Sequence, residues 1–483
     1  MLGSYINAGP VIREDTPRIR VLNPADTRDE VAIFSTASLD DVRSAIDSAY
    51  EAFDRWSSTP PHERGRILFK AAEIIEQSLD EFSRLLTREE GKTLRESRAE
   101  VERAIGILRF YAGLAPRIGG RTLPSQFRDT MIYTIRKPLG VVSIITPWNF
   151  PIAIPAWKIA PALVTGNTVV FKPSSLTPTI AFKFVEVLHR AGLPRGVLNL
   201  VVASGSSVGD ELITNKRISA VSFTGSSEVG LRIHRKAGEL DRFIRVQLEL
   251  GGKNALVVAE DADLNEAVEL TVRGGFGLTG QACTATSRVL VHISRYEAFV
   301  KALAERASRI RVGNGLRDDT DMGPLVSLDA KKKVEKYVST GISEGAKLVY
   351  GGSGLDDGEY RFGYFFQPTV FAECTRDMRI FREEIFGPVI CVTPYRSLEE
   401  AIEITNSVDY GLVAGIVSRD ISKVARFVEK ADVGVIKVNM PTVGLEYHVP
   451  YGGVKLSGND LYKEQGEEAI EFYTTVKAIY MRY

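Results

Sequence analysis

A cysteine in a loop of small residues is the first group in the chain that could do chemistry. Cys283 lies in the stretch Gly280-Gln281-Ala282-Cys283-Thr284-Ala285-Thr286-Ser287-Arg288, directly before the apolar run Val289-Leu290-Val291. A cysteine in a glycine-bounded loop that leads into a strand can be presented to a cleft, where nucleophiles tend to lie. A buried, inert thiol is the alternative.

Two other stretches carry groups that a thiol nucleophile would need. In Thr146-Pro147-Trp148-Asn149-Phe150-Pro151, the asparagine is held between aromatic rings and prolines, so its N–H donor would be fixed, as an oxyanion site requires. In Leu248-Glu249-Leu250, a carboxylate lies between leucines, where desolvation would raise its pKa towards that of a general base. A rigid turn and a solvated strand-end glutamate are the alternatives.

Two further stretches could bind a nucleotide, although the Gly-x-Gly-x-x-Gly fingerprint of many dinucleotide sites is absent. Phe223-Thr224-Gly225-Ser226 follows a strand-like run and opens a helical pattern, which would aim free N–H groups at an anion. Lys172, in Phe171-Lys172-Pro173-Ser174-Ser175, stands at a strand end that suits a ribose or phosphate contact. A plain helix cap and a surface lysine are the alternatives.

The elements around these residues predict two α/β domains. Strand-like runs at 141–145, 168–171, 197–202 and 220–223 alternate with helical patterns, and the texture repeats at 255–258, 289–292, 389–392, 412–417 and 434–438. Helices are predicted over about 62–90 and 95–114, and near 262–276, 295–309, 397–407 and 420–431. Residues 130–137 and 472–480 alternate polar and apolar side chains, which indicates a separate antiparallel pair.

Composition narrows the class of protein. The 483 residues contain 61 Lys plus Arg and 61 Asp plus Glu, so no net charge favours nucleic acid or an anionic membrane as a partner. The most apolar region, 140–171, is interrupted by four prolines and cannot be one membrane helix. Three widely spaced cysteines form neither a disulfide framework nor a metal site, which predicts a reducing, cytoplasmic location.

Together these motifs resemble the aldehyde dehydrogenase superfamily over nearly the whole chain. The order of the stretches around Asn149, Lys172, Gly225, Glu249 and Cys283 is highly specific, and Glu383-Glu384-Ile385-Phe386-Gly387-Pro388 and Pro450-Tyr451-Gly452-Gly453 continue it. The resemblance implies a Rossmann-like cofactor domain (1–120 and 139–246), a catalytic domain (247–440) and oligomerisation strands (121–138 and 459–483). It also implies a homodimer or homotetramer, in which those strands extend a neighbouring subunit's sheet.

The resemblance assigns roles residue by residue. Cys283 would be the nucleophile, Glu249 the general base, and Asn149 the oxyanion donor together with the cysteine's own backbone N–H. Lys172 would hold the adenosine ribose, Gly225 and Ser226 the pyrophosphate, Trp148 the cofactor's edge, and Glu384 with Phe386 the nicotinamide ribose and ring. The remaining expected cofactor contacts are Ile145, Thr146, Ser174, Ser175 and Gly251. No metal is expected.

Cofactor and substrate depend on fewer positions. Family members restricted to NAD usually carry a glutamate at the position of Ser175, so a neutral serine there favours NADP, with NAD possible. The segments 283–288 and 441–455 resemble the α-ketoglutaric semialdehyde (2,5-dioxopentanoate) dehydrogenases, whose substrate carries a carboxylate. Arg103 is the candidate cation for it, with Phe150, Trp157 and the Tyr447-His448 pair as further candidate walls; an exposed helix arginine is the alternative for Arg103.

Rival functions remain open at this point. A succinic semialdehyde or broad-range aldehyde dehydrogenase would share every catalytic motif. A CoA-acylating enzyme usually lacks the base that Glu249 would provide. A non-catalytic structural or binding protein on the same scaffold would not need Cys283, Glu249 and Asn149.

Overall fold

The chain folds into 23 strands and 16 α-helices, and the computed structural model describes residues 1–483. The strands are β1 Ser4–Ile6, β2 Gly9–Val11, β3 Arg18–Asn23, β4 Asp26–Ser35, β5 Thr122–Leu123, β6 Thr130–Pro138, β7 Val141–Ile145, β8 Thr168–Lys172, β9 Leu198–Leu200, β10 Ile218–Thr224, β11 Arg245–Glu249, β12 Asn254–Val258, β13 Thr286–His292, β14 Lys347–Tyr350, β15 Gly354–Leu355, β16 Phe365–Phe366, β17 Thr369–Ala372, β18 Val389–Tyr395, β19 Tyr410–Gly411, β20 Val413–Val417, β21 Val435–Val438, β22 Val454–Lys455 and β23 Thr474–Arg482. The helices are α1 Leu39–Ser58, α2 Pro61–Gln77, α3 Leu79–Glu90, α4 Leu94–Leu114, α5 Ala153–Val164, α6 Pro178–Arg190, α7 Gly205–Val208, α8 Glu211–Thr214, α9 Ser227–Gly238, α10 Leu264–Phe276, α11 Tyr296–Ala307, α12 Leu328–Ser343, α13 Arg379–Arg382, α14 Leu398–Asn406, α15 Ile421–Lys430 and α16 Ala469–Tyr473.

The first of two seven-stranded sheets has the order β11-β10-β7-β8-β9-β1-β2. Strands β7 to β11 run parallel, and β1 and β2 add an antiparallel edge. β7 is the middle one of the five parallel strands, with later strands added on either side, so a crevice opens at the carboxyl ends of β7 and β10. Ile144, Val170 and Phe171 are fully buried, as expected for parallel strands covered by helices on both faces.

The second sheet has the order β14-β17-β18-β13-β12-β20-β21. All its strands run parallel except the edge strand β14. Two apolar clusters cover its two faces, one around Phe371 and Ile416 and the other around Val289 and Phe299. The two sheets confirm the predicted α/β fold class.

A third, antiparallel sheet of β23, β6 and β5 is separate from both. β23 pairs with β6 over nine residues, from Thr474 opposite Pro138 to Arg482 opposite Thr130. This pairing confirms the prediction that the alternating segments 130–137 and 472–480 form an antiparallel pair. Val476 and Tyr480 on β23 are exposed.

Several sequence expectations differ from the structure in their bounds. The helix predicted over 62–90 is divided into α2 and α3 at Ser78, whose backbone (φ −112°, ψ 22°) is not helical. The strand predicted over 197–202 is limited to Leu198–Leu200. The domain boundaries proposed from the family resemblance remain a prediction. None of the helices has both the length and the apolar character needed to cross a lipid bilayer.

Candidate active site

A cavity of about 800 Å³ contains the cysteine singled out from the sequence. Its wall includes Cys283, Phe150, Trp157, Arg103 and Tyr451. Phe150 lies in the loop that follows β7, Trp157 lies on α5, and Arg103 lies on α4. The fold therefore brings a nucleophilic side chain, three aromatic rings and a cationic group to one cavity.

The loop that presents Cys283 requires unusual backbone geometry. After α10, Leu278, Thr279 and Gly280 have φ values of 53°, 57° and 68°, so three successive left-handed residues turn the chain. A side chain at Gly280 would collide with the carbonyl oxygen of Gly387, which explains the glycine. The side-chain amide of Asn254 donates to the carbonyl of Cys283 at 2.8 Å and fixes the loop just before β13.

The thiol of Cys283 is half-buried and contacts one polar side chain. Its Sγ lies 3.2 Å from the Oη of Tyr451. Burial raises the pKa of Cys283 to about 12, and the nearby charge of Glu249 adds to the rise. In this arrangement the sulfur is a thiol at neutral pH and needs help to reach the reactive thiolate state.

Asn149 lies on the loop after β7 with its side chain buried. Its Nδ2 donates one N–H to the backbone carbonyl of Gln281 at 3.0 Å, which joins this loop to the cysteine loop. An amide nitrogen has two N–H protons, so the second is free for a ligand oxygen. The position is consistent with a fixed donor beside the cysteine.

A buried ion pair holds the Asn149 loop from behind. Lys92 Nζ donates to the backbone carbonyl of Asn149 at 2.7 Å and to the carboxylate of Glu100 at 2.6 Å. The other oxygen of Glu100 accepts the backbone N–H groups of Ile152 and Ala153, both at 3.1 Å. Both charged side chains are almost fully buried, so the loop is anchored on each side of Asn149.

The charge state of this pair follows from its neighbours. Burial lowers the pKa of Lys92, but Glu100 and then Glu90 more than reverse this and raise it above its usual value. Burial raises the pKa of Glu90 to about 8. At neutral pH Lys92 is therefore a cation, while Glu90 is mostly protonated.

Glu249 ends β11 and is 1% exposed. Neither carboxylate oxygen has a hydrogen-bond partner of good geometry. Burial, and next the charge of Glu464, raise the pKa of Glu249 well above its usual value; the Tyr451 hydroxyl and the Gly453 N–H oppose this. A carboxylate with a raised pKa can accept a proton from water near neutral pH.

A second buried carboxylate lies behind Glu249. Glu464 forms an ion pair with Lys158 on α5 and accepts the indole N–H of Trp157 at 2.8 Å. Lys158 also donates to Ser222 Oγ at 2.9 Å, in the middle of β10. The polar groups behind the cavity are thus linked from α5 to the first sheet.

Arg103 is one of four arginines in the cavity wall and lies close to the aromatic ring of Trp157. It donates to the Leu445 carbonyl and, at 2.8 Å, to the Gln465 side chain, and its guanidinium lies 5.8 Å from the Trp157 ring. No carboxylate forms an ion pair with it. Burial lowers the pKa of Arg103, but a guanidinium remains charged at neutral pH. Its charge is therefore available to an anionic ligand.

The residues expected to hold the adenosine half of a dinucleotide lie along the carboxyl edge of the first sheet. Lys172 ends β8 with its Nζ bonded to the Pro173 carbonyl at 3.0 Å, and burial lowers its pKa to about 8. Ser174 and Ser175 follow on the same loop, half-buried. Ser226, which follows the end of β10, is the N-cap of α9, so the N-terminus of this helix lies at the crevice.

The residues expected at the nicotinamide end lie between the two sheets. The Glu384 side chain accepts the Gly252 N–H at 2.8 Å and would clash with any side chain at Gly251. Burial raises the pKa of Glu384. Phe386 has a φ of 60° and packs edge-on against Trp148, with ring centroids 5.4 Å apart.

The crevice also fits a polar ligand by its unpaired groups. The hydroxyls of Thr146 and Thr224, at the ends of β7 and β10, are buried without hydrogen-bond partners, although buried hydroxyls are usually paired. Ile145, Thr146 and Gly225 surround the same strand ends. A nucleotide bound across these strand ends would supply the missing partners.

Some functional candidates match the sequence analysis and others do not. His448 is exposed and is not part of the cavity wall, unlike Arg103, Phe150 and Trp157. Tyr451 was noted only as part of a motif, and its contact with Cys283 was not foreseen. The sequence analysis also did not identify Lys92 and Glu100 as residues that support the site. Glu100 could have been recognised as a charged residue on the apolar face of α4, beside Val101 and Ala104.

This fold and this arrangement of a cavity cysteine, a buried carboxylate and a fixed amide are those of the aldehyde dehydrogenases. The family's sequence profile, described as "Aldehyde dehydrogenase family", matches residues 11–479. The chain therefore belongs to the aldehyde dehydrogenase family and is an NAD(P)-dependent aldehyde dehydrogenase, as predicted.

Several characterised relatives match over nearly their whole lengths. A 2,5-dioxopentanoate dehydrogenase of Saccharolobus solfataricus is 53% identical over 95% of each chain. An alpha-ketoglutarate semialdehyde dehydrogenase of Haloferax volcanii is 45% identical over 99% of each. The crystal structure of betaine aldehyde dehydrogenase from Staphylococcus aureus in complex with NAD+ superposes with a TM-score of 0.96 at 36% identity, over 100% of this chain and 95% of that one.

Proposed function

We propose that the protein oxidises a semialdehyde that carries a carboxylate, such as 2,5-dioxopentanoate, to the corresponding dicarboxylate. The observation that carries this proposal is Arg103, a guanidinium without an ion-pair partner in the same cavity as Cys283. A substrate carboxylate would pair with this cation while its aldehyde reaches the sulfur. The substrates named for the relatives from Saccharolobus solfataricus and Haloferax volcanii support the same class.

The first half of the reaction forms a covalent acyl-enzyme. The thiolate of Cys283 attacks the aldehyde carbon, and the carbonyl oxygen becomes an oxyanion held by Asn149 Nδ2 and the Cys283 backbone N–H. One such donor typically changes kcat by about 10²–10³-fold. A bound oxidised nicotinamide would supply the hydride acceptor for that carbon. The carbon–oxygen double bond then re-forms, which leaves a thioester on Cys283.

The second half of the reaction cleaves the thioester. Glu249 removes a proton from water, the hydroxide oxygen bonds to the acyl carbon, and the carbon–sulfur bond breaks to return Cys283. The overall change is aldehyde, NAD(P)⁺ and water to carboxylate, NAD(P)H and two protons. The buried, unpaired carboxylate of Glu249 supports its role as the base.

The cofactor residues are assigned in the same way. Lys172, Ser174 and Ser175 would face the adenosine ribose, Gly225 and Ser226 the pyrophosphate, and Trp148, Gly251, Glu384 and Phe386 the nicotinamide half. A hydroxyl at Ser175 can donate to a 2′-phosphate and does not repel it, so NADP is the preferred cofactor and NAD the poorer one.

The assembly is a homodimer or homotetramer, and the cell compartment is the cytoplasm. The exposed side chains of the β23-β6-β5 sheet, including Val476 and Tyr480, support its role as an oligomerisation arm. An exposed strand edge with apolar side chains is a site for pairing with another chain.

Betaine aldehyde is the second substrate to consider, because a betaine aldehyde dehydrogenase of Bacillus subtilis is 42% identical. That substrate carries a permanent positive charge, which the guanidinium of Arg103 would repel. Succinic semialdehyde shares the carboxylate but is one carbon shorter and lacks the keto group, so it is the closer competitor.

The test is a comparison of kcat/KM for five aldehydes with NADP and with NAD. The aldehydes are 2,5-dioxopentanoate, succinic semialdehyde, glyceraldehyde 3-phosphate, betaine aldehyde and a neutral aliphatic aldehyde. We expect 2,5-dioxopentanoate with NADP to be preferred, and Arg103→Met to lower kcat/KM for it by about 10²-fold or more while changing the neutral aldehyde little. Equal rates on the neutral aldehyde in the unaltered protein would refute the substrate proposal.

A further inference from the structure

The hydroxyl of Tyr451 lies against the nucleophilic sulfur in a rigid position. Its Oη is 3.2 Å from Cys283 Sγ, within hydrogen-bond range for sulfur. The side chain is 2% exposed, and its ring packs edge-on against Trp157 with centroids 6.3 Å apart. Two backbone hydrogen bonds with Glu464, both 2.6 Å, fix the main chain. The hydroxyl cannot swing away from the sulfur without disturbing this packing.

The chemistry of this contact depends on the protonation state of the sulfur. A thiol is a weak donor and a weak acceptor, so a phenol gains little from it. A thiolate only accepts, and a hydrogen bond from a neutral O–H to an anion is about twice as strong as a neutral one. The contact therefore favours the thiolate over the thiol.

We propose that the Tyr451 hydroxyl is a catalytic hydrogen-bond donor that stabilises the thiolate of Cys283. No covalent bond to Tyr451 is formed: the sulfur releases its proton to solvent, and the hydroxyl keeps its own proton and directs it at the sulfur. The proposal rests on Cys283 being the nucleophile of the proposed function.

The surroundings explain why such a donor is useful. Burial works against the thiolate, and so do the nearby carboxylates of Glu249, Glu384 and Glu464. Glu249 also competes with the sulfur as an acceptor for the Tyr451 hydroxyl. Burial, and then the charges of Cys283 and Glu249, raise the pKa of Tyr451 well above its usual value. The tyrosine therefore keeps its proton throughout the working pH range and remains a donor.

The experiment measures thiolate formation without turnover. Iodoacetamide reacts with the thiolate, so the rate of alkylation of Cys283 is followed against pH by peptide mass spectrometry in the intact enzyme. A hydrogen bond to a charged group contributes about 1.5–3 kcal/mol, which corresponds to a pKa of Cys283 about one to two units higher in Tyr451→Phe. Because the pKa of Cys283 already lies at about 12, the variants are compared by their alkylation rates at pH values well below it. At a fixed pH below the midpoint, alkylation becomes about 10- to 100-fold slower.

Tyr111→Phe is the matched control. Tyr111 is also a fully buried tyrosine, but its hydroxyl donates to the Gly466 carbonyl at 3.1 Å and not to Cys283. We expect its alkylation profile to equal that of the unaltered enzyme. An unchanged profile for Tyr451→Phe, or an equal shift in both variants, would overturn the proposal.

A second variant keeps the shape of the side chain and strengthens the donor. Incorporation of a ring-fluorinated tyrosine at position 451 should speed alkylation at a fixed pH below the midpoint, and a rate that stays the same or falls contradicts the proposal. The alkylation profile can be measured whether or not the enzyme oxidises 2,5-dioxopentanoate. Failure of the substrate proposal and failure of the Tyr451 proposal are therefore separate outcomes.

Discussion

Loss of the charge on Glu100 should both destabilise the protein and impair Asn149. In Glu100→Gln, the amide oxygen can still accept the N–H groups of Ile152 and Ala153, but the amide nitrogen cannot accept from Lys92. The lysine cation then lies buried without its main counterion. The variant therefore separates the charge of Glu100 from its shape.

The magnitude follows from the neighbours of Lys92. Removing one partner of a buried ion pair typically costs about 3–5 kcal/mol of unfolding free energy. Glu90 lies 3.8 Å from Lys92 Nζ, and its pKa of about 8 means that ionising it at pH 7 takes at most about 1.4 kcal/mol. Because Glu90 can replace part of the lost interaction, we expect a loss of about 2–4 kcal/mol at pH 7 and a smaller loss at pH 9.

The effect on activity should depend on Asn149. Lys92 also holds the Asn149 carbonyl, so a shifted lysine moves the loop and lowers kcat by about 10- to 100-fold, part of the effect of losing an oxyanion donor. In an Asn149→Ala background, Glu100→Gln should lower kcat no further. If Glu100→Gln lowers kcat by the same factor with Asn149 present and with Asn149→Ala, Glu100 does not act through the position of Asn149.

The stability assay is urea unfolding at one protein concentration, since oligomer stability depends on concentration. Glu76→Gln is the control, because Glu76 and its partner Arg109, which is on the same helix as Glu100, are both exposed and lie outside the cavity wall. It should change the unfolding free energy by less than about 1 kcal/mol and leave kcat unchanged. If Glu100→Gln behaves like this control, the buried pair does not have the role described.

Two further variants test the base and the cofactor site. Glu249→Gln should keep a rapid burst of NADPH close to one per active site but turn over slowly, because only thioester hydrolysis needs the base; an unchanged steady-state rate would exclude Glu249. The same variant should be more stable than the unaltered protein above pH 4.5, with a difference that grows as pH rises, because a raised folded-state pKa means that ionisation favours the unfolded chain. Ser175→Glu should lower kcat/KM for NADP by about 10²-fold or more, since a carboxylate beside a 2′-phosphate costs several kcal/mol, while NAD is used as well or better. Equal use of NADP by both forms would show that Ser175 does not contact that phosphate.

The local sequence determined the two sheets and the loops that carry the candidate site residues. Apolar runs and helical periodicity report the burial of neighbouring residues, so the strands at 141–145 and 289–292 were predicted close to their observed bounds. The break at Ser78 was not predicted, because the apolar pattern continues through both helices. A single non-helical residue leaves almost no trace in such a pattern.

Only the tertiary structure decided which polar groups meet. Tyr451 is 168 residues from Cys283, Lys92 is 57 from Asn149, and Glu464 is 306 from Lys158. These contacts depend on how α4, α5 and the C-terminal segment pack around the cavity, and no periodicity in the sequence encodes such distances. The sequence thus determined the family and indicated the candidate nucleophile, whereas packing decided which groups surround that cysteine and the other candidate residues. Ionisation and position depend on burial and on charges a few ångströms away, which no local pattern records.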